Sequence, residues 1–156
     1  MRDWVAEWRQ DGDIFVWRYP KRNKHAGEWH LTGDPAGCRS IRNLIDRMAG
    51  GEACHRTMRL GRLTPEISAV PNYGEPKPDG FASMRVAFRP DAGEMAMEED
   101  GDRLILTFGN KQVRDLRAAI TDVEVGNGDF GIRPSDDHRI KPWYFWWMPW
   151  STGFYK

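Results

Sequence analysis

Chemistry in this chain would have to come from a few polar clusters and from its tryptophans. Metal binding needs His, Cys, Asp or Glu converging at ligand spacing. Cys54 and His55 are adjacent and would fall on opposite faces of a strand, while His25, His30 and His138 share no local motif with them. These groups read as structural or solvated, and neither a metal nor a cofactor is expected. Glu98, Glu99, Asp100 and Asp102 surround an Asp-Gly pair that reads as a hairpin tip. There charge keeps a turn soluble, and no buried pocket is at hand to tune a carboxyl for acid–base work. The run Pro134-Ser135-Asp136-Asp137-His138-Arg139 puts a hydroxyl, two carboxylates and an imidazole in one loop. Sequence neighbours seldom give a nucleophile its base in working geometry, so the loop reads as a polar contact surface ahead of a catalytic site. Gly126 and Gly128 follow a helical pattern and precede a strand. That is the reverse of the order in a phosphate loop, so they read as a helix cap and turn.

The chain has eight Trp. Trp4, Trp8, Trp17 and Trp29 lie near its start and the other four follow residue 142, which predicts that the two ends meet in one aromatic layer. Exposed rings could stack on sugars or unpaired bases. Packing is the stronger reading, because the stretch 142–150, bounded by Pro142 and Pro149, reads as a strand apolar on both faces. Trp143, Phe145 and Trp147 would line one face, and Tyr144, Trp146 and Met148 the other. Such a strand must be covered on both sides.

The elements that would hold these groups follow from periodicity and capping. Residues 4–9 and 14–19 alternate around Asp11-Gly12 as a hairpin, followed by a basic tip at Lys21, Arg22, Lys24 and His25 and a short strand at 28–32. Asp34-Pro35 supplies an N-cap and a first-turn proline for a helix whose Cys38, Ile41, Leu44, Ile45 and Met48 share one face, ended by Gly50-Gly51. A strand at 54–60 precedes a proline-rich loop, 62–80, with a short extended piece at 67–70. Strands follow at 82–89, 94–98 and 103–108, then a helix after Asn110 with the stripe Val113, Leu116, Ile120 and Val123, then a strand at 128–132. The order strands, helix, strand thus occurs twice, over about 1–61 and 81–156. It predicts an α+β fold by duplication, in which two helices lie on one face of an antiparallel sheet.

The 156 residues fit one domain with one core. Twenty-three Lys and Arg balance 23 Asp and Glu, so no global field steers the chain onto nucleic acid or an anionic membrane. Duplex binding is therefore expected to stay in the non-specific range of about 10⁻⁴ to 10⁻⁶ M at physiological salt. Fluorescence anisotropy with a labelled duplex checks this, and a salt-dependent nanomolar complex refutes it. The charged N-terminus and the lack of a long apolar run predict a cytoplasmic chain without a membrane span. Cys38 and Cys54 fit reduced thiols, with a bridge between them left open by their spacing.

The segments 31–60 (LTGDPAGCRSIRNLIDRMAGGEACHRTMRL) and 109–132, continued into Trp143-Tyr144-Phe145-Trp146-Trp147, resemble small uncharacterised bacterial domains that include immunity proteins of polymorphic toxin systems. That group pairs a glycine-led, leucine-striped helix with a following strand and a Trp-rich end. The resemblance implies a protein partner and assigns no residue a role. The neutral charge departs from the acidic character typical of inhibitors of nucleic-acid-cleaving toxins. Two classes follow. The first is a non-catalytic protein-binding domain, immunity-like or regulatory, with contacts on Tyr73 and on Arg133, Asp136, Asp137, His138 and Arg139. The second is a small-ligand or carbohydrate binder, or a cryptic enzyme, using Trp rings and the loop 133–141.

Overall fold

The computed structural model describes residues 2–73, 77–127, 130–137 and 139–148. In chain order the elements are α1 (Arg2–Ala6), β1 (Ile14–Arg18), β2 (Trp29–Gly33), α2 (Pro35–Met48), β3 (Cys54–Arg59), α3 (Pro65–Ala69) and β4 (Asp79–Gly80). Then come β5 (Ser83–Phe88), β6 (Ala96–Asp100), β7 (Arg103–Phe108), a 3-10 turn (Asn110–Gln112), α4 (Val113–Val125), β8 (Phe130–Ile132) and β9 (Trp143–Phe145). The class is α+β, but the expected single antiparallel sheet is replaced by two mixed sheets, β4-β1-β2-β9-β8 and β3-β5-β7-β6. The parallel contacts are β2 with β9 and β5 with β7.

The reason lies in where each helix delivers the chain. The hairpin β1–β2 sits in the first sheet, and α2 carries the chain across to β3 and β5 in the second. The hairpin β6–β7 sits in the second sheet, and α4 carries the chain back to β8 and β9 in the first. The strands that arrive first, β3 and β8, pair antiparallel with β5 and β9, and it is β5 and β9 that lie parallel to a strand of the hairpin already in that sheet, β7 and β2. Local alternation cannot report that pairing.

Both helices pack on each other and share one core with the inner faces of both sheets. Leu106 of the second sheet meets Ile41 of α2, Leu116 and Ile120 of α4, and Leu31 and Trp143 of the first sheet around a cavity of about 20 Å³, too small for a ligand. Outside the core, Glu124 of α4 binds Arg42 and Arg39 of α2, and Arg117 binds Asp46. The α2 start follows its sequence signal: the Asp34 carboxylate accepts from Gly37 N at 2.6 Å and from Asp13 N at 3.1 Å. Gly12 at φ +67° and Gly37 make that seat close-fitting, since a Cβ on Gly37 would lie 2.1 Å from the Asp13 carbonyl oxygen.

Three local expectations are corrected. Residues 2–6 are helical rather than a strand, because the buried pair is Val5 and Trp8, three apart, while Trp4 is exposed and lies under the Arg47 guanidinium. Within 62–80, Thr64 caps a helical turn opened by Pro65, where an extended piece was expected. The aromatic strand stops at Phe145, so Trp143 and Phe145 are buried in the core while Trp147 is 38% exposed beside Gly126. Trp4 and Trp8 lie away from the aromatic layer formed by Trp17, Tyr144 and Trp146 around His30. Pro149, Trp150, Gly128 and His138 lie outside the described residues. Cys38 and Cys54 are unbridged. No helix among the described residues is long and apolar enough to cross a membrane.

Candidate functional site

The first sheet is covered on both faces, as the two-sided apolarity of its aromatic strand requires. On its outer face Phe15, Trp17 and Tyr19 of the β1 segment pack with Met148 and with Ile67 of α3, forming a second core joined by Val70, Tyr73 and Trp146. Cross-strand register sets Trp17, His30 and Tyr144 side by side on β1, β2 and β9. Their rings stack, with His30 at 5.7 Å from Trp17 and 5.8 Å from Tyr144. Tyr19 and Tyr73 stand edge-on to the imidazole at 5.1 and 5.4 Å.

His30 is fully buried. The Trp146 indole N–H donates to its Nδ1 at 3.0 Å, so the single proton of the neutral ring sits on Nε2. That Nε2–H has no hydrogen-bond partner among the described residues, and the Glu28 carboxylate lies 3.9 Å away. Burial, reinforced by His25, pushes the His30 pKa down to about 3, so the ring is neutral at physiological pH. A proton-bearing Nε2 is no metal ligand, and the described residues hold no group of three or more His, Cys, Asp or Glu arranged for a metal.

The nearby loop closes the cluster. His25 Nδ1 lies 3.0 Å from the Glu28 carboxylate, and the His25 ring stacks on Tyr73 at 3.5 Å between centroids. Burial, then Glu28, Tyr144 and Tyr19, push the Tyr73 hydroxyl up to about 12, and burial and Glu28 also raise Tyr144. The basic tip, Lys21 to His25, is part of a chain of turns over 20–28. Asn23, itself buried, donates to the Pro20 carbonyl at 2.9 Å, and its side chain accepts from His25 N at 2.7 Å. Lys141 then straps the far loop onto it, its Nζ donating to the carbonyls of Ala26 at 2.8 Å and Lys24 at 3.3 Å. Segments 20–28, 70–73 and 139–146, distant in sequence, meet at one surface. Lys21, Arg22 and Lys24 stand exposed on it with no side-chain partner among the described residues. Ile140 is exposed beside Lys141.

Of the residues expected to make contact, Tyr73 lies inside this cluster, half-buried rather than free to vary. Asp137 and Arg139 pair with each other on the adjoining stretch at 2.9 Å. Arg133 and Asp136 lie at the other end of the loop, lining a separate cleft with Lys111, Gln112 and Asp115, where Pro134 accepts from Met95 N at 2.8 Å. The Ser135 hydroxyl is buried and accepts from Asp137 N at 3.1 Å, a turn bond that employs it structurally. His138 lies outside the described residues.

His25, Glu28 and His30 were missed as site residues, and Lys141 was expected only as the end of the contact loop 133–141. The available signal was Glu28 and His30 at i and i+2, two polar groups on one face of a strand whose neighbours Trp29 and Leu31 are apolar. What the cluster can do follows from its rings. Tyr73 gives a face to His25, and Tyr144 and Trp146 stack on His30, so part of their ring surface is already engaged within the cluster.

The chain matches no protein-family model, no curated protein and no solved structure. Function is therefore argued from this site alone.

Proposed function

We propose that this chain is a non-catalytic protein-binding domain, immunity-like or regulatory in a bacterial setting, which engages its partner through the surface joining segments 20–28, 70–73 and 139–146. The observation that carries the reading is the Lys141 strap, which holds two loops more than a hundred residues apart in one ordered surface. A preordered loop surface loses little conformational entropy on docking. It offers an aromatic centre with exposed Ile140 and a basic rim, the composition of a contact hot spot and its surround. Sugar or base stacking is less favoured, because the Tyr73, Tyr144 and Trp146 rings engage their own neighbours. The matching strand pairings of β1-β2-α2-β3-β5 and β6-β7-α4-β8-β9 support an origin by duplication, with β5 (83–88) in the first unit in place of the division at 62–80 drawn from the sequence.

The test uses exposed side chains. Charge reversal at Lys21, Arg22 and Lys24 combined with Ile140→Asp is expected to leave the melting temperature nearly unchanged, since surface changes stay within about 0.5 kcal/mol each. The same variant should lose a partner that native pull-down recovers with the parent. Recovery of the same partner by the variant with unaltered affinity contradicts the reading. Tyr73→Ala is unsuited to this purpose, because the ring packs on His25, Tyr19 and Trp146 and its loss destabilises the fold.

A further inference from the structure

The second sheet turns Met84, Val86, Leu104 and Leu106 into the core, and its outer face is the reverse side of the same strands. Register places Arg59, Ser83 and Arg103 in one row across β3, β5 and β7, and Thr57, Arg85 and Ile105 in the next. All six side chains belong to the face opposite Met58, Met84 and Leu104. Strands about 4.8 Å apart, with about 6.7 Å between same-face neighbours, put Arg85 about 8 Å from each of the other two arginines at Cβ. A guanidinium on its flexible stem spans such a gap, so all three can close on one group above Ser83.

The state of these arginines points the same way. Arg103 is bound to Asp100 at 2.5 Å, and Arg59 and Arg85 have no side-chain hydrogen bond or ion pair among the described residues. The Nε–H groups of Arg85 and Arg103 are shielded from solvent with no acceptor. Shielded donors call for an acceptor, and the guanidinium fork fits oxyanions in pairs of parallel bonds. Three guanidinium charges outnumber the two carboxylates of this face, Asp100 beside Arg103 and Glu98 diagonal to it, and both carboxylates lie on the far side of β7 from Arg59 and Arg85.

We propose that Arg59, Arg85 and Arg103 form a binding site for a phosphate monoester dianion. Such a group carries close to two negative charges at neutral pH, where a carboxylate or a nucleic-acid diester carries one. Ser83 beneath the group and Thr57 at its rim supply hydroxyl donors. The site is separate from the partner surface proposed above and stands or falls without it.

Titration is followed on the arginine Nε–Hε cross-peaks by NMR, with inorganic phosphate, O-phosphoserine amide and a single-stranded oligo-dT as probes, against sodium chloride at matched ionic strength. Phosphate and phosphoserine are expected to displace the Arg59, Arg85 and Arg103 peaks saturably. Arg85→Gln should weaken this about tenfold at unchanged melting temperature, and Arg85→Lys should restore it only partly, since an ammonium lacks the fork. Tighter binding of phosphoserine than of phosphate identifies a phosphorylated side chain as the source, and equal binding a small free phosphate. The proposal is overturned by displacement equal to that with chloride, by insensitivity to Arg85→Gln, or by oligo-dT binding as tightly as phosphate.

Discussion

Acidification is expected to destabilise the fold through His30. Its folded-state pKa of about 3 lies below the unfolded value of about 6.5, because burial, aided by His25, disfavours the imidazolium. Between those two values the unfolded chain binds a proton that the folded chain refuses. Stability from this group is therefore complete above about pH 6.5 and is lost as pH falls towards 3, at about 1.4 kcal/mol per pH unit. Protonation also costs the Trp146 bond, since a protonated Nδ1 can no longer accept. His30→Gln keeps an acceptor for Trp146 and removes the titration. In urea denaturation at pH 7, 6, 5 and 4, the parent should lose stability relative to His30→Gln at about that slope. Parallel curves for the two proteins would show that His30 is free to charge in the folded state.

The second large effect separates two neighbouring tryptophans. Trp143 is 3% exposed and meets Leu31, Ile41 and Val123 around the central cavity, so Trp143→Ala should cost about 3–5 kcal/mol. Trp147, past the end of β9 and 38% exposed, is expected to cost clearly less on the same change. Urea midpoints for the two variants check this, and equal losses would mean that Trp147 is packed as deeply as Trp143.

That contrast marks how far the sequence carries. Elements with a local signature were legible: Asp34-Pro35 opened α2, its apolar stripe faced the core, and Gly126 closed α4 in the left-handed region. Short apolar runs were not, because Trp4, Val5, Ala6 and Trp8 satisfy both a period of two and a spacing of three. Pairings between remote strands were out of reach as well. Nothing local in Trp143-Tyr144-Phe145 says that they join Trp29-His30-Leu31 in parallel, and that pairing builds the site.

For the site itself, Tyr73 and the loop 133–141 were readable as contact candidates from composition. Their division was not: Lys141 turned to the 20–28 loop, while Arg133 and Asp136 lie at another cleft. The three imidazole and carboxylate groups of the cluster looked scattered because strand register, not sequence spacing, stacks His30 between Trp17 and Tyr144, and one loop turn returns His25 to Glu28.

The most direct test of the protein-binding account is in-cell photo-crosslinking with benzoylphenylalanine placed singly at Arg22, at Ile140 and, as a control on α4, at Ala118. All three positions are exposed. The account predicts one adduct of the same mass from positions 22 and 140, abolished by charge reversal at Lys21 and Lys24, with none from position 118. An adduct at position 118 with none at 22 or 140 would contradict it.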